Sequence, residues 1–323
     1  MNEIDQSGER NIINMIRKVG NIKQKPDDCS LVDRGDSYEL ITMDSINEKT
    51  HIPVGATASE AGRFFAMVNL SDIAAMGGIP QTFMAAFNIR GDLHEEYVEE
   101  FVNGMSKTLK EYDLEYAGGD TKESDTNVFS GMCMGYQKKK LTRLRSEIKP
   151  HQILCSTGTL GKTGAAYVAY SHGMDTRENS RRMLDIKARI SEGMAIGSSG
   201  AKFMMDISDG LYGCLSQMKM DYGIGFRISE MDVKLDESVK EVANVVGCSP
   251  RDIAFNYGGD YELLFTIDND DYGKFSKKME DEGIAVSYIG DTWEGDNMIF
   301  NGEQWEKIEH RGWEHLKKGI MQQ

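Results

Sequence analysis

The most constraining feature of the chain is an apolar stretch that runs directly into two carboxylates, at residues 205–211 (Met-Asp-Ile-Ser-Asp-Gly-Leu). This order is typical of a buried strand that ends where a helix begins. A helix cap explains either Ser208 or Asp209, but it does not explain Asp206 as well. We therefore interpret Asp206 and Asp209 as metal ligands, and we expect Ser208 and the helix N-terminus to contact phosphate.

Four further clusters place an aspartate beside small or hydroxyl-bearing residues. They are Asp27-Asp28-Cys29, Thr42-Met43-Asp44, Asn69-Leu70-Ser71-Asp72 and Gly118-Gly119-Asp120-Thr121. Carboxylates that are brought together repel, and each costs on the order of several kcal/mol to remove from water. Divalent cations offset that cost, and Mg²⁺ is commonly held by one or two carboxylates together with substrate phosphates. The pattern therefore predicts a magnesium-nucleotide enzyme.

Simpler interpretations apply to some of these clusters. Taken alone, residues 118–121 read as a glycine-rich turn that follows a short strand, with Asp120 as a local cap. Asp27 and Asp28 are adjacent, so in an extended segment only one is expected to face a site. Asn69, Ser71 and Asp72 interrupt an Ala- and Met-rich helix, and buried polar groups of this kind need hydrogen-bond partners.

Residues 156–163 resemble a phosphate-binding P-loop, because Gly161, Lys162 and Thr163 end the segment as the motif requires. The motif also needs glycine at the first position, where this chain has Ser156. We therefore expect a glycine-rich turn that caps the next helix, and no P-loop.

Composition excludes several classes of protein. The chain has 323 residues and a formal net charge of −15, which argues against a nucleic-acid surface but not against ATP held through metal ions. Its five cysteines show no CxxC spacing, so reduced thiols in a cytoplasmic protein are expected. Apolar runs do not approach the ~20 residues of a membrane span, so neither nucleic acid nor membrane is an expected partner.

Strands and helices alternate along both halves of the chain, which predicts an α/β (α+β) fold. We predict strands at 37–44, 81–89, 128–136, 152–157, 202–206, 261–267 and 284–289. Helices are predicted at 9–19, 61–76, 94–112, 163–171, from 209, and 272–282, with further helices between 173 and 198. A polar, basic stretch from residue 138 to 150 places a domain boundary there, which gives domains 1–145 and 146–323.

The motifs together resemble the thiamine-monophosphate kinase family of the aminoimidazole ribonucleotide synthetase-like superfamily. The resemblance runs from about residue 27 to residue 316 and includes His51 and the clusters above, followed by two further segments. These are Gly-Gly-Asp-Tyr-Glu-Leu at 258–263 and Gly-Trp-Glu-His at 312–315. The specific parts are the stretch Asn-Leu-Ser-Asp-Ile-Ala-Ala-Met-Gly at 69–77 and the terminal aromatic motif at 312–315.

The resemblance implies an N-terminal α/β domain that pairs with its twin in a homodimer, and a C-terminal α+β domain. It implies transfer of the γ-phosphoryl group of ATP to thiamine monophosphate, which gives thiamine diphosphate. The implied ligands of several Mg²⁺ ions are Asp28, Thr42, Asp44, Asp72, Asp120, Asp206 and Asp209. Gly119, Asp120, Arg145 and Ser208 would contact ATP, and His51, Glu262 and Trp313 would contact the thiamine substrate. The resemblance implies no residue acting as a general base.

Some positions depart from the family pattern. Counting back from Lys149 makes Arg145 the nucleotide-binding arginine, while Arg143 remains the alternative. The segment before Glu262 is one residue shorter than usual, and the segment around His51 lacks the usual Gly and Phe. Other members of the superfamily are the nearest rivals, but the chain lacks the N-terminal Cys and Lys of selenophosphate synthesis and the C-terminal Cys of carbamoyl transfer. A nucleotide- or thiamine-binding module without turnover is the alternative of a different class.

Overall fold

The computed structural model describes residues 8–309, which contain two β-sheets. The first sheet is formed by β1 (Ser30–Asp33), β2 (Ser37–Asn47), β3 (Ile79–Ile89), β4 (Tyr116–Glu123) and β5 (Val128–Lys138). Its strand order is β1-β2-β5-β3-β4, and only the pair of β3 with the edge strand β4 is parallel. Three helices belong to this half of the chain, namely α1 (Glu9–Val19), α2 (Ala58–Ala75) and α3 (Glu95–Glu111).

One face of this sheet is covered and the other is open. Aromatic side chains from the strands and the helices form a cluster on the covered face. In this cluster Phe101 of α3 stacks on Phe129 of β5, with ring centroids 4.1 Å apart. The opposite face carries Met43, Met84 and Tyr136, all of which are exposed. An exposed apolar face of this kind is typical of an interaction surface.

The second sheet follows in the chain. Its strands are β6 (Ile153–Thr157), β7 (Met204–Asp206), β8 (Gly225–Ser229), β9 (Leu263–Ile267), β10 (Val286–Trp293), β11 (Met298–Phe300) and β12 (Trp305–Lys307). Their order is β12-β11-β8-β10-β6-β9-β7. The helices of this half are α4 (Lys162–Ser171), α5 (Thr176–Leu184), α6 (Ile190–Ser198), α7 (Leu211–Tyr222), α8 (Glu237–Val246), α9 (Pro250–Asn256) and α10 (Tyr272–Asp281).

Helix α2 joins the two halves. It begins with a capping box, in which Thr57 and Glu60 exchange side-chain and backbone hydrogen bonds. The helix is buried along most of its length, and one continuous hydrophobic core links it to both sheets. Glycines allow its close contacts, because a Cβ on Gly62 would lie 1.9 Å from the carbonyl oxygen of Phe101 in α3. This central helix brings Ser71 to Asp206 of the second sheet, while Asn69 and Asp72 bond to β2 of the first sheet.

The mixed α/β architecture agrees with the sequence prediction, and each predicted helix and strand range has a described counterpart close to it. The sequence pattern did not predict β1, β8, β11, β12, α8 and α9. The two sheets use residues on opposite sides of position 145, although the proposed domain limits remain a prediction. Among the described residues, no helix combines the length and apolar character needed to span a membrane.

Candidate active site

The junction of β7 and α7 places Asp206 at the end of a fully buried strand. Asp206 accepts a hydrogen bond from the Ser71 hydroxyl of α2 at 2.7 Å, so the two halves of the protein meet at this carboxylate. The next residue, Ile207, donates its N–H to the carbonyl of Glu262 at 2.8 Å. Burial, followed by the charge of Asp28, raises the pKa of Asp206 to about 7.

Helix α2 contributes the three polar residues that the sequence marked as misplaced in an apolar helix. Asn69 is fully buried, and its Oδ1 accepts the backbone N–H of Asp44 at 3.0 Å. Its Nδ2 donates to the Phe65 carbonyl at 3.0 Å. Asp72 accepts a short hydrogen bond from the Thr42 hydroxyl of β2. The expectation that these residues have buried partners is confirmed.

Asp28, Asp72 and Asp206 form the central cluster of the site, which we call the carboxylate cluster. One carboxylate oxygen from each residue lies within 4.8 Å of the others. Burial, and then the charges of Asp44, Asp206 and Asp28, raise the pKa of Asp72 well above its ordinary value. Closely spaced carboxylates that are difficult to ionise together fit a divalent cation, because an added positive charge favours their ionised forms.

Arg145 lies at the cluster and contacts both aspartates of the Asp27-Asp28 pair. Its guanidinium donates two hydrogen bonds to Asp28, at 3.0 and 2.5 Å, and its backbone N–H donates to Asp27 at 3.2 Å. Both aspartates lie against Arg145 where the chain bends at Asp28 and Cys29, but only Asp28 contributes an oxygen to the carboxylate cluster. Burial, followed by the charge of Asp28, raises the pKa of Asp27 to about 7.

Arg143, the alternative to Arg145, points elsewhere. Its guanidinium donates to the backbone carbonyls of Leu141, Lys140 and Ala201. It therefore supports the connection between the two sheets, whereas Arg145 reaches the carboxylate cluster. The geometry favours Arg145 as the residue that could meet a nucleotide phosphate.

Asp44 and Asp209 extend the acidic region beyond the cluster. Burial, followed by the charges of Asp209 and Asp28, raises the pKa of Asp44 to about 6. Asp209 is exposed just before α7, so it stands between the buried carboxylates and the surface. Ser208 is partly exposed, and its carbonyl accepts the N–H of Gly259 at 2.7 Å.

Comparison with known proteins identifies the family. Residues 26–137 match the family model of the AIR synthase related protein N-terminal domain, and residues 149–301 match that of the C-terminal domain. The thiamine-monophosphate kinase of Pyrococcus abyssi is 33% identical over 315 residues, which cover 97% of each chain. The chain belongs to the thiamine-monophosphate kinase family.

Other relatives and solved structures agree with this assignment. The thiamine-monophosphate kinase of Aquifex aeolicus is 27% identical over 318 residues, which cover 97% of this chain and 99% of that one. A solved structure of AaThiL complexed with AMPPCP and TMP superposes with a TM-score of 0.86 at 26% identity, and it covers 98% of this chain and 99% of that chain. The two-domain fold expected from the sequence is that of the kinase family.

Gly119 and Asp120 lie away from the carboxylate cluster. The expected turn after a short strand is wrong, because residues 118–121 lie inside β4, where the β3–β4 register is irregular. Cross-strand pairing links Asp44 to Gly131, Gly131 to Ala85 and Ala85 to Gly119. Three strand spacings, about 14 Å, therefore separate Gly119 from Asp44. Asp120 is 63% exposed in its side chain and pairs with Lys122 at 3.3 Å.

The structure describes two of the three residues that the resemblance assigns to the thiamine substrate, His51 and Glu262. His51 follows β2 in a turn, where its Nδ1 accepts the N–H of Asn47 at 3.2 Å and lies 2.7 Å from the Thr50 hydroxyl. Glu262 is buried beside β9, and its backbone carbonyl accepts the N–H of Ile207, the residue after Asp206. Trp313 lies outside the described residues.

Sequence reasoning missed three residues around Glu262. Thr157 donates its hydroxyl proton to Glu262 at 2.6 Å, and Arg189 donates a short hydrogen bond to the other carboxylate oxygen. Tyr261 has a positive φ of 52°, and its ring meets Phe64 edge-on at 6.2 Å. Burial, followed by the charges of Asp44, Asp206, Asp209 and Asp72, raises the pKa of Tyr261 well above its ordinary value. The polar side chains Thr157 and Arg189 lie far from Glu262 in sequence, so no local pattern could have revealed the contacts.

The P-loop look-alike is not a phosphate site. Asp260 accepts the backbone N–H groups of Gly161 at 2.6 Å and Thr163 at 3.2 Å, at the start of α4. This carboxylate takes the position that an anion would need at the helix N-terminus. Lys162 is engaged with Asp185 at 2.9 Å. The prediction of a capped turn is supported, although the capping carboxylate comes from a distant loop.

Proposed function

We propose that this protein transfers the γ-phosphoryl group of ATP to thiamine monophosphate and so forms thiamine diphosphate. The single observation that carries the proposal is the carboxylate cluster with Arg145, set in a chain that belongs to the thiamine-monophosphate kinase family. The curated relatives named above are thiamine-monophosphate kinases, and AaThiL was solved with AMPPCP and TMP.

Several Mg²⁺ ions are part of the proposal. Asp28, Asp72 and Asp206 would hold the buried ion, with Thr42 supporting Asp72 through its hydroxyl. Asp44, Asp209 and Asp120 would serve further ions toward the surface. When bound, Mg²⁺ neutralises phosphate charge and favours in-line transfer. The fit rests on the donor set, since hard carboxylate oxygens are the ligands that Mg²⁺ prefers.

The protein's own residues would position two polyanions against each other. Arg145 carries a guanidinium whose geometry suits phosphate oxygens, and it is held in place by Asp28. Ser208 and Gly119 would contact the nucleotide, with Ser208 just before the N-terminus of α7. A phosphate acceptor is largely ionised near neutral pH, so no residue is needed to remove a proton from it. The proposed transfer is therefore direct, without a phosphorylated protein.

Substrate contacts complete the proposed site. His51, Glu262 and Trp313 would contact thiamine monophosphate, and the indole suits a flat or cationic ring. Glu262 is the best supported of the three, because its backbone carbonyl bonds to Ile207, the residue after Asp206 of the carboxylate cluster.

We also propose a cytoplasmic homodimer. The exposed apolar face of the first sheet, with Met43, Met84 and Tyr136, would pair with its copy in a second subunit. All five cysteines are free, with Cys29, Cys133, Cys155 and Cys214 buried and Cys248 exposed, as expected for a reducing compartment.

The test is an assay with ATP, Mg²⁺ and thiamine monophosphate, in which chromatography resolves thiamine diphosphate. We expect product that requires Mg²⁺ and that EDTA stops. An absence of thiamine diphosphate, combined with ATP turnover on another phosphorylated acceptor, would contradict the proposed substrate. Incubation with ³²P-labelled ATP alone should leave the protein unlabelled, and a stable labelled protein would contradict direct transfer.

A further inference from the structure

The Glu262 carboxylate accepts hydrogen bonds from two residues that are distant from it in sequence. Thr157, at the end of β6, donates to Oε2 of Glu262 at 2.6 Å and also accepts the N–H of Leu263 at 2.8 Å. Arg189, just before α6, donates through Nη2 to Oε1. Both carboxylate oxygens therefore have a fixed partner.

Gly158 shows how closely the Glu262 carboxylate is packed. A Cβ added to Gly158 would lie 2.3 Å from Oε1 of Glu262, and the residue has a φ of +55°. A side chain at this position would displace the carboxylate. The backbone at Gly158, directly after β6, therefore packs against the Glu262 carboxylate that Thr157 and Arg189 bind.

Arg189 is itself fixed at its far side. Its Nη1 donates to Glu192 at 3.1 Å, and Lys187 and Ser191 also donate to that carboxylate, at 3.1 and 2.8 Å. Burial opposes the charge of Glu192, yet hydrogen bonds from its own backbone N–H, Ser191 and Lys187 lower its pKa to about 2. Nε of Arg189 is buried and has no hydrogen-bond partner among the described residues. The carboxylates of Glu262 and Glu192 therefore fix the position of the Arg189 guanidinium, although not every N–H group of the guanidinium is paired.

A cavity of about 460 Å³ opens at this network. Its lining includes Thr157 and Arg189, which bind the Glu262 carboxylate, together with Glu192 and Glu282. Glu262 itself is buried behind these two partners. Carboxylates therefore outnumber the single arginine around the cavity, which suits a cationic or amine-bearing ring more than an anion.

We propose that Arg189 is a positioning residue, which acts on substrate binding by holding Glu262 beside this cavity, where the organic part of the acceptor would bind. This inference rests on the proposed function, in which Glu262 contacts thiamine monophosphate. A guanidinium between two carboxylates restricts the rotamers of Glu262, and prior ordering of a binding group reduces the entropy lost when substrate binds.

The test compares Arg189→Met with the wild type in steady-state kinetics and in calorimetric binding of thiamine monophosphate. Arg189→Met should raise both KM and Kd for thiamine monophosphate by about tenfold or more, with KM for ATP nearly unchanged. Thr157→Val should shift the same constants in the same direction by a smaller factor. Arg189→Lys should restore part of the affinity, because lysine can contact one carboxylate but cannot bridge two.

A double-mutant cycle separates positioning from direct contact. If Arg189 acts through Glu262, then adding Arg189→Met to Glu262→Gln should change the affinity by no more than about twofold. An equal loss of affinity in both backgrounds would overturn the proposal, because Arg189 would then contact the substrate itself. Unchanged affinity in Arg189→Met would overturn it as well.

Arg181→Met is the matched control, because Arg181 pairs only with Glu178 among the described carboxylates at ion-pair distance and is exposed. It should leave every constant unchanged. Should Arg189→Met fail to fold, Thr157→Val and Arg189→Lys decide the question through the same constants. A wild-type protein that forms no thiamine diphosphate would overturn the proposed function, whereas an active wild type with an unaffected Arg189→Met overturns only the role of Arg189.

Discussion

Two strand-to-helix junctions of the second half both place a glycine directly before the helix, but they differ in the groups that lie at the helix start. At residues 156–163, between β6 and α4, the backbone N–H groups at the helix start are bound by the Asp260 carboxylate. At residues 205–211, between β7 and α7, Asp206 joins the carboxylate cluster and Asp209 reaches the surface. The first junction is closed by an internal carboxyl group, whose pKa burial raises to about 7. The second junction collects several carboxylates, which suits a cation.

One loop serves both junctions. Residues 258–262 supply Asp260 to α4, and they also bond to the second junction, where the N–H groups of Gly259 and Tyr261 donate to the carbonyls of Ser208 and Ile207 at 2.7 and 3.1 Å. The same loop then delivers Glu262 to Thr157 and Arg189. A glycine-rich turn before a helix therefore does not identify a phosphate site until the origin of its bound anion is known.

The largest expected effect comes from removing the charge at the second junction. Asp206→Asn should lower kcat/KM by at least about 100-fold, because the proposed metal site would lose a ligand. Its unfolding temperature without metal at pH 8 should be unchanged or higher, because a buried carboxylate that resists ionisation is removed. Assay and thermal unfolding measure the two effects. Asp221→Asn, on the exposed side of α7, is the control. Activity near the wild-type level in Asp206→Asn would remove Asp206 from the proposed metal site.

The stability of the metal-free protein should depend on pH. The pKa values of Asp27 and Asp206 rise to about 7 and that of Asp44 to about 6, in each case first through burial. Between pH 4 and these values the folded state binds more protons than the unfolded state, so the free energy of unfolding falls as pH rises. The loss should be on the order of a few kcal/mol by pH 8.

Denaturant unfolding in EDTA at several pH values measures this slope, and Mg²⁺ should restore more stability at pH 8 than at pH 5. Asp206→Asn should make the slope shallower. A metal-free protein that becomes more stable between pH 5 and pH 8 would contradict the clustering of these carboxylates.

A smaller effect is expected at the first junction. Asp260→Ala should lower the free energy of unfolding by about 1–2 kcal/mol, because α4 loses its capping acceptor. Asp260→Asn keeps an acceptor oxygen and should lose less. Denaturant unfolding compares the two variants, and equal stability of Asp260→Ala and wild type would show that this carboxylate does not stabilise the helix start.

The smallest effect is expected for Lys162. It pairs with Asp185 and its junction is already filled, so Lys162→Ala should change kcat/KM by no more than about threefold. A P-loop lysine would instead contact the nucleotide phosphates. Steady-state kinetics with ATP as the varied substrate measures this. A loss of kcat/KM of about 100-fold or more, on the order expected for a phosphate-contacting group, would show that Lys162 contacts the nucleotide after all.

Local chemistry made part of this site predictable. Asp206 and Asp209 follow an apolar strand, and Asn69, Ser71 and Asp72 interrupt an apolar helix, so both positions stood out against their neighbours. The structure brings Ser71 of the helix to Asp206 of the strand, as polar groups buried in apolar surroundings require.

Other parts depended on contacts between distant residues. Arg189 and Thr157 are separated from Glu262 by 73 and 105 positions, and neither has a distinctive neighbourhood in sequence. Residues 118–121 have turn-forming glycines, yet pairing with β3 draws them into an edge strand, because tertiary context overrides local preference. The role of Asp260 was also hidden, since its partners Gly161 and Thr163 lie about a hundred residues earlier.

The measurement that most directly tests the central claim is calorimetric titration of Mg²⁺ into the protein at pH 8, with Asp72→Asn beside the wild type. The account predicts binding to the wild type in the presence of an ATP analogue, and loss of at least one ion in Asp72→Asn, because Asp72 belongs to the carboxylate cluster. Equal stoichiometry and affinity in the two proteins would contradict the claim that these buried carboxylates form a metal site.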